Sequence, residues 1–142
     1  MEYKRFGNSI ALRLDPGDEI REQIPLTATK ENVTLAGVTG IGGAGEIEIG
    51  VFDTETKSYD RRTLTGTHEI TSLVGNINTM NGEAYAHLHI TCAGKGGTVV
   101  GGHLLRCVIS LTAEIFLQVV DGKVDRKRRE PLGINTWDFV GE

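Results

Sequence analysis

The sequence has 142 residues, of which 39% are hydrophobic and 24% are charged, and this size and composition predict one compact domain over residues 1–142. Its formal net charge of −4 gives no overall attraction to a phosphate backbone, which argues against strong DNA binding by charge alone. The apolar runs are interrupted, and residues 1–10 lack the hydrophobic stretch of a signal peptide, so we expect a cytoplasmic protein without membrane association. Cys92 and Cys107 are expected as reduced, buried thiols.

The N-terminal segment predicts a strand followed by a helix. Apolar residues alternate with others over residues 3–14, which is the period of a β-strand. Asp15 and Pro16 then supply an N-cap and a first helical residue, so we expect the helix to begin there. Pro25 removes a backbone donor and should kink or restart this helix before it ends near Asn32.

The middle of the chain is typical of short strands separated by turns. We expect strands at residues 33–39, 46–52, 61–64 and 68–74, a tight bend at residues 41–45, and an exposed polar loop at residues 75–82. The bend is glycine-rich, but it lacks the Lys-Ser/Thr ending of a phosphate-binding loop, and an alternating strand follows it. Its glycines are therefore interpreted as a bend or a close approach of two backbones.

Three of the four histidines lie in residues 84–119. His87 and His89 are two residues apart in an apolar run, so in a strand they leave the same face, with Cα atoms roughly 7 Å apart. A turn at residues 93–97 predicts a hairpin, and a three-residue loop over Lys95–Gly97 places His89 opposite His103. An even loop would turn His103 away. Three imidazoles on one face with a fourth position open are typical of a zinc site, or of a site for another divalent metal.

Two readings compete with a metal site. A single histidine in a strand is more often a packed or solvated side chain than a ligand, and three histidines can coincide by chance. Cys107 lies too far along the strand from His103 to join the same ion without a bulge. The pattern His68-Glu69 forms no acid–base dyad, because consecutive strand residues face opposite sides, and His68 is interpreted as structural or interfacial.

The C-terminal third predicts a long strand and a basic run. Apolar residues alternate from Ile109 to Val119, which favours a strand at the centre of the sheet. The run Arg126, Lys127, Arg128 and Arg129 is the candidate DNA-binding element, although Asp125 and Glu130 flank it and favour a solvated loop. Many strands with one or two helical patterns indicate an α+β fold, an antiparallel-rich sheet with helix packed against it.

At these residues the chain resembles the plants-and-prokaryotes-conserved domain, the PPC family. The likeness rests on AHLHI, a glycine-rich turn, VVGGHLL and TAEIFL in residues 86–117, on GTHEITSL at residues 66–73, and on GVTGIGGAGEIEIGVFD at residues 37–53. It covers nearly the whole chain. The resemblance implies a mixed α and β domain that assembles as a homotrimer. It also implies a histidine metal site, in the prokaryotic form, at the positions of His87, His89 and His103.

The resemblance further implies partners. In plant members, the segment matching residues 66–73 recruits other proteins, and the matching residues here are Gly66, Glu69, Ile70, Ser72 and Leu73, whereas Thr67, His68 and Thr71 depart from that pattern. Plant members bind DNA through a preceding basic AT-hook centred on Arg-Gly-Arg-Pro, a motif that this sequence does not contain. Prokaryotic single-domain members are described as predicted DNA-binding proteins by analogy.

Three functions remain open from the sequence. The first is a homotrimeric regulatory protein with a weak DNA-linked role and a structural or ligand-binding metal. The second is a metal-dependent, hydrolase-like enzyme in which Glu69 or Glu114 carries protons; no catalytic residue is assigned, and an enzyme is the less favoured reading. The third is a sensor whose small-molecule ligand takes the open metal position.

Overall fold

The computed structural model describes residues 1–139, so residues 140–142 of the predicted domain lie outside the described part. The described chain contains one α-helix, eight strands and a short 3-10 turn at Lys95–Gly97. The helix α1 spans Ile20–Lys30, and the strands are β1 Glu2–Phe6, β2 Ser9–Leu14, β3 Ala36–Asp53, β4 Ser58–Met80, β5 Glu83–Ala93, β6 Val99–Val119, β7 Asp125–Arg129 and β8 Ile134–Asp138.

The strands form one sheet that closes partly on itself. Seven strands follow the order β1-β2-β6-β3-β4-β7-β8, and β5 pairs with both β4 and β6. Because β3 also pairs with β4 and β6, the four long strands form a closed ring. Pairing is antiparallel except for the single parallel contact between β4 and β7. The predicted α+β fold with an antiparallel-rich sheet is confirmed.

The core lies between the sheet and α1, which packs against β5 and β6. Ile20, Ile24 and Ala28 form the fully buried face of the helix, and this face continues past Pro25 without a break. The predicted helix start at Asp15 is wrong, because the helix begins four residues after Pro16, with Glu19 as N-cap. Residues 15–18 are instead held as a turn: the Gly17 N–H donates to the Ile109 carbonyl at 2.9 Å.

Strand β3 is continuous where two strands were predicted. The expected bend at residues 41–45 is replaced by register shifts between Gly40 and Gly42 and between Ala44 and Glu46. A Cβ at Gly42 would lie 2.5 Å from the Thr112 carbonyl oxygen, so this glycine allows β3 and β6 to approach closely. The glycine-rich segment therefore bends a long strand without ending it.

The predicted loop at residues 75–82 is also wrong. Strand β4 continues to Met80, and the chain reverses only at Asn81 and Gly82, which both have positive φ. An Asn-Gly pair between two strands is the preferred composition of a two-residue hairpin turn. Asn78 is fully buried despite its polarity, and its side-chain oxygen accepts a hydrogen bond from Arg126 on β7.

Both cysteines are buried free thiols, as predicted. Burial raises the pKa of Cys92 to about 11 and that of Cys107 to about 12, so neither is a reactive thiolate near neutral pH. Within residues 1–139, no helix is long and apolar enough to cross a membrane.

Candidate metal centre

The hairpin of β5 and β6 brings the three predicted histidines together. His89 pairs directly with His103, and pairing continues to Ala93 opposite Val99. The turn between the strands is closed by the Gly94 N–H, which donates to the Thr98 carbonyl at 2.9 Å, and it uses positive φ at Gly96 and Gly97. The odd loop length predicted from the sequence is confirmed. His87 shares the face of His89, two residues away on β5.

The three imidazole rings lie close together at one site on the hairpin. Ring centroids lie 5.2 Å apart for His87 and His89, 5.1 Å for His87 and His103, and 5.4 Å for His89 and His103. One donor nitrogen from each ring lies within 4.8 Å of the other two. Nitrogens bound at about 2.0–2.1 Å to one tetrahedral zinc lie about 3.4 Å apart, so small ring rotations bring this donor set around a single ion.

The environment keeps two of the rings neutral. Burial, reinforced by the neighbouring His87 and His89, lowers the pKa of His103 to about 4. Burial and the positive charge of Arg126 also lower the pKa of His87. A neutral imidazole retains the lone pair that a metal requires, whereas a protonated one has none to offer. These groups therefore have the protonation state of ligands near neutral pH.

Tyr59 of β4 holds His103 in place. Its ring stacks on the imidazole with centroids 5.0 Å apart and an interplanar angle of 24°. A Cβ at Gly50 would lie 2.8 Å from the Tyr59 ring, so the glycine opposite His103 leaves the space that the tyrosine fills. The sequence analysis did not select Tyr59, and only the cross-strand register places it here.

Two cavities flank the histidines, and they share Tyr59, Ile134, His87 and His103 in their walls. The first, of about 180 Å³, is polar and is further lined by Tyr85, Arg126, Arg128, Gly133 and Asn135. The second, of about 310 Å³, is largely apolar and is further lined by Gly50, Val51, Phe52, His89 and Gly102. In the described part of the chain, no Asp or Glu lines either cavity. The histidines thus lie between a cavity lined by two arginines and a largely apolar cavity.

The basic run does not form one exposed patch. Arg126 is only 8% exposed, and its guanidinium reaches into the histidine site, where Nη2 donates to His87 Nδ1 at 3.2 Å. Lys127 and Arg129 lie 2.8 and 3.8 Å from Asp138, and Arg128 lies 3.7 Å from Glu130. Direct phosphate contact by Arg126 is therefore disfavoured, while DNA binding through Lys127, Arg128 and Arg129 stays a prediction.

Comparison with known proteins identifies the family to which these motifs and this site belong. The profile of the Plants and Prokaryotes Conserved domain, abbreviated PCC or PPC, matches residues 1–121. The chain belongs to the PCC family. The match covers the hairpin and all three clustered histidines, whereas β7 and β8 lie beyond it. None of the curated protein sequences matches this PCC chain significantly.

Solved structures extend the similarity over almost the whole PCC chain. A candidate DNA-binding protein from Bacteroides thetaiotaomicron is 30% identical, with a TM-score of 0.93 over 97% of this chain and 96% of that one. A plant- and prokaryote-conserved protein from Pyrococcus horikoshii is 31% identical, with a TM-score of 0.86 over 99% and 96%. A metal-containing protein from Archaeoglobus fulgidus is also 31% identical, with a TM-score of 0.86 over 96% of both chains.

The structure separates the remaining candidate residues from the histidine site. In the predicted partner segment, Ile70 and Leu73 are buried in the core, so a partner would meet Gly66, Glu69 and Ser72. This role stays a prediction. Glu114 is exposed on β6, and neither it nor Glu69 lines a cavity beside the histidines. His68 lies outside the cluster, with Nδ1 2.9 Å from the Gly66 carbonyl.

Gly75 provides a test of how β4 positions His87. A Cβ at this position would lie 2.0 Å from the His87 carbonyl oxygen, so Gly75→Ala should push β5 away from β4. We expect it to lower the free energy of unfolding by about 1–3 kcal/mol or more, and to weaken metal binding. The control is Gly37→Ala on the neighbouring strand, where an added Cβ meets nothing within 4 Å. Denaturant unfolding measures both variants, and equal stabilities would contradict the prediction.

Proposed function

We propose that this PCC protein binds one divalent metal ion, zinc, through His87, His89 and His103. The observation that supports the proposal is the convergence of three imidazole donors, each pair within 4.8 Å, on one face of a rigid hairpin. Three nitrogen ligands on a tetrahedral ion leave one position for an exogenous ligand, which is the arrangement of an open site and not of a closed structural one. The metal-containing relative from Archaeoglobus fulgidus lends independent support.

A ligand-binding role suits this site better than hydrolysis does. Metal-assisted hydrolysis generally needs a group that carries protons beside the ion. Within residues 1–139, the walls of the two cavities contain no carboxylate, and the glutamates considered from the sequence lie elsewhere. The histidines, by contrast, line two cavities that can receive a small molecule, so a metal ion held by them would be accessible to a ligand. We therefore propose a metal-dependent binding or regulatory protein.

We further propose that the protein assembles as a homotrimer. The apolar side chains of Ile70, Leu73 and Leu104 are buried within their own subunit, so they do not supply this contact. A different set supports assembly: Ile41, Val74 and Phe116, which we call the outer patch, line one depression of about 390 Å³ and are 57%, 47% and 48% exposed. Clustered exposed apolar side chains favour an interface. The number three rests on the family resemblance alone.

A DNA-linked, transcription-associated role is the second proposal. It is favoured by the relative from Bacteroides thetaiotaomicron described as a candidate DNA-binding protein. The net charge of −4 and the pairing of Lys127, Arg128 and Arg129 with nearby carboxylates argue for weak, sequence-independent contact with phosphates. Assembly would multiply this contact, because each subunit of an oligomer contributes its own β7.

The metal proposal is tested by elemental analysis after zinc loading and removal of excess metal. We expect one zinc ion per chain in the wild type and a substantial loss in His89→Ala, because the two remaining histidines, His87 on β5 and His103 on β6, form an incomplete site. The matched control is His68→Ala, which removes the one histidine outside the cluster and should retain full zinc. A wild-type protein that holds no zinc and whose thermal stability ignores added metal would contradict the proposal.

Assembly is tested by sedimentation at micromolar concentration. We expect the wild type to sediment with the mass of three chains, and Phe116→Glu to dissociate, because it puts a charge in the outer patch. The control is Phe6→Glu, a comparably exposed phenylalanine on β1 that lies outside the patch. A monomeric wild type would contradict the homotrimer proposal. A trimeric Phe116→Glu variant would show that the outer patch is not the interface.

DNA binding is tested by titrating duplex DNA at several salt concentrations. If Lys127, Arg128 and Arg129 each neutralise one phosphate, the slope of log affinity against log salt should be about −2.7 per chain. Replacing all three by Gln should abolish binding, whereas the same change at Lys30, Arg61 and Arg62, three exposed cations on other elements, should not. Tight and salt-tolerant binding would show that another surface reads the DNA.

A further inference from the structure

Arg126 is a buried cation surrounded by neutral partners. Its guanidinium donates to the side-chain oxygens of Asn78 at 3.1 Å and Asn76 at 3.2 Å, to the Asn135 carbonyl at 3.0 Å, and to His87 Nδ1 at 3.2 Å. The aromatic ring of Tyr85 lies 4.9 Å from the guanidinium carbon. These contacts fix the direction of the side chain without neutralising its charge.

The other cations of β7 pair with carboxylates, whereas Arg126 has no such partner among the described residues. Lys127 and Arg129 face Asp138, and Arg128 lies near Glu130. Among residues 1–139, no carboxylate lies within ion-pair distance of Arg126. Burial lowers the pKa of Arg126, and no carboxylate among the described residues lies close enough to offset the cost of removing this charge from water. A buried charge without a counter-charge is costly, so Arg126 is a candidate to bind an anion that arrives from outside.

Metal binding would free part of this guanidinium. Arginine has only N–H donors, so its contact with His87 Nδ1 uses the lone pair of that nitrogen. A metal ion at Nδ1 takes the same lone pair, and a metal ion at Nε2 leaves the proton of the neutral ring on Nδ1. In both cases Arg126 loses its acceptor on His87. Because Arg126 also lines the polar cavity, the N–H donor freed in this way would be available to a ligand there.

The two cavities differ in polarity, and each suits a different end of one ligand. The polar cavity of about 180 Å³ contains Arg126, Arg128 and Asn135, and it suits an anionic group of a few atoms. The apolar cavity of about 310 Å³ contains Val51 and Phe52, and it suits a short hydrocarbon group. His87 and His103 belong to the walls of both cavities, so a ligand that crosses from one cavity to the other passes the proposed metal position. Neither space is large enough for a nucleic-acid strand.

We propose that the site takes a small carboxylic acid with a short apolar tail, whose carboxylate lies between the metal and Arg126 and whose tail packs against Val51, Phe52 and Ile134. This inference rests on the proposed metal site. The metal supplies the open coordination position, Arg126 supplies the fixed counter-charge, and the apolar cavity selects against anions without a tail. Inorganic phosphate satisfies the first two requirements and leaves the third unfilled.

The test is calorimetric titration of the zinc-loaded, full-length protein with 4-methylpentanoate. We expect saturable binding, with acetate at least about tenfold weaker because it lacks the tail. The neutral 4-methylpentan-1-ol should give no binding, because it lacks the charge. Arg126→Lys should weaken 4-methylpentanoate about tenfold or more by removing the fixed donor geometry. The matched control Arg61→Lys, at an exposed arginine of β4 outside both cavities, should leave the affinity unchanged.

A second variant keeps the test valid if the buried Arg126 tolerates no substitution. Val51 is exposed at the rim of the apolar cavity, so Val51→Asp should fold normally and weaken 4-methylpentanoate at least about tenfold, because it places a charge against the hydrocarbon tail. Equal binding of inorganic phosphate, or unchanged affinity in Val51→Asp, would overturn the proposed ligand class. Zinc is measured on the same samples. One zinc per chain without 4-methylpentanoate binding overturns the ligand proposal alone, whereas absence of zinc after loading overturns the metal site itself.

Discussion

The pairing of His89 with His103 across β5 and β6 is the constraint on which the rest of the site depends. A slip of one residue along this pair would turn every side chain of one strand to the other face, so it would bury a histidine and expose a core residue. Leu88 and Ile90 on β5 and Leu104 on β6 are almost fully buried on the inner face and oppose such a slip. The register of the three histidines is therefore stabilised by the hydrophobic residues that alternate with them on the same strands.

The closed ring of strands adds rigidity to that register. An isolated hairpin has two free edges, whereas β5 is paired with β4 on one side and with β6 on the other. Strand β3 pairs with both β4 and β6 and so closes the ring. The close approach of β4 to β5 depends on Gly75, where any side chain would meet the backbone of His87. His87 and His103 are thus fixed from neighbouring strands as well as from the turn. A metal site assembled in this way needs little rearrangement of the backbone when its ion binds.

The features that the sequence predicted are those with local causes. The face shared by His87 and His89 follows from the period of a strand, and their approach to His103 follows from the length of a three-residue turn. The predictions that were wrong had distant causes. Residues 75–82 contain several polar residues and resemble a loop, but Asn76 and Asn78 are polar because they bind Arg126, about 50 residues further along the chain. Residues 41–45 resemble a bend, but their glycines accommodate the neighbouring strand β6.

Distant contacts also determine how the four cations of the basic run are arranged. In the sequence it is four consecutive cations, which suggests one patch, but β7 is a strand and its side chains alternate between two faces. Arg126 and Arg128 line the polar cavity, whereas Lys127 and Arg129 contact Asp138. Four cations on one surface would attract a polyanion. Here two of them line a small cavity, and the other two form ion pairs on the surface. This division favours recognition of a small anion over a phosphate backbone, because only the cavity face holds a buried cation with no carboxylate partner among the described residues.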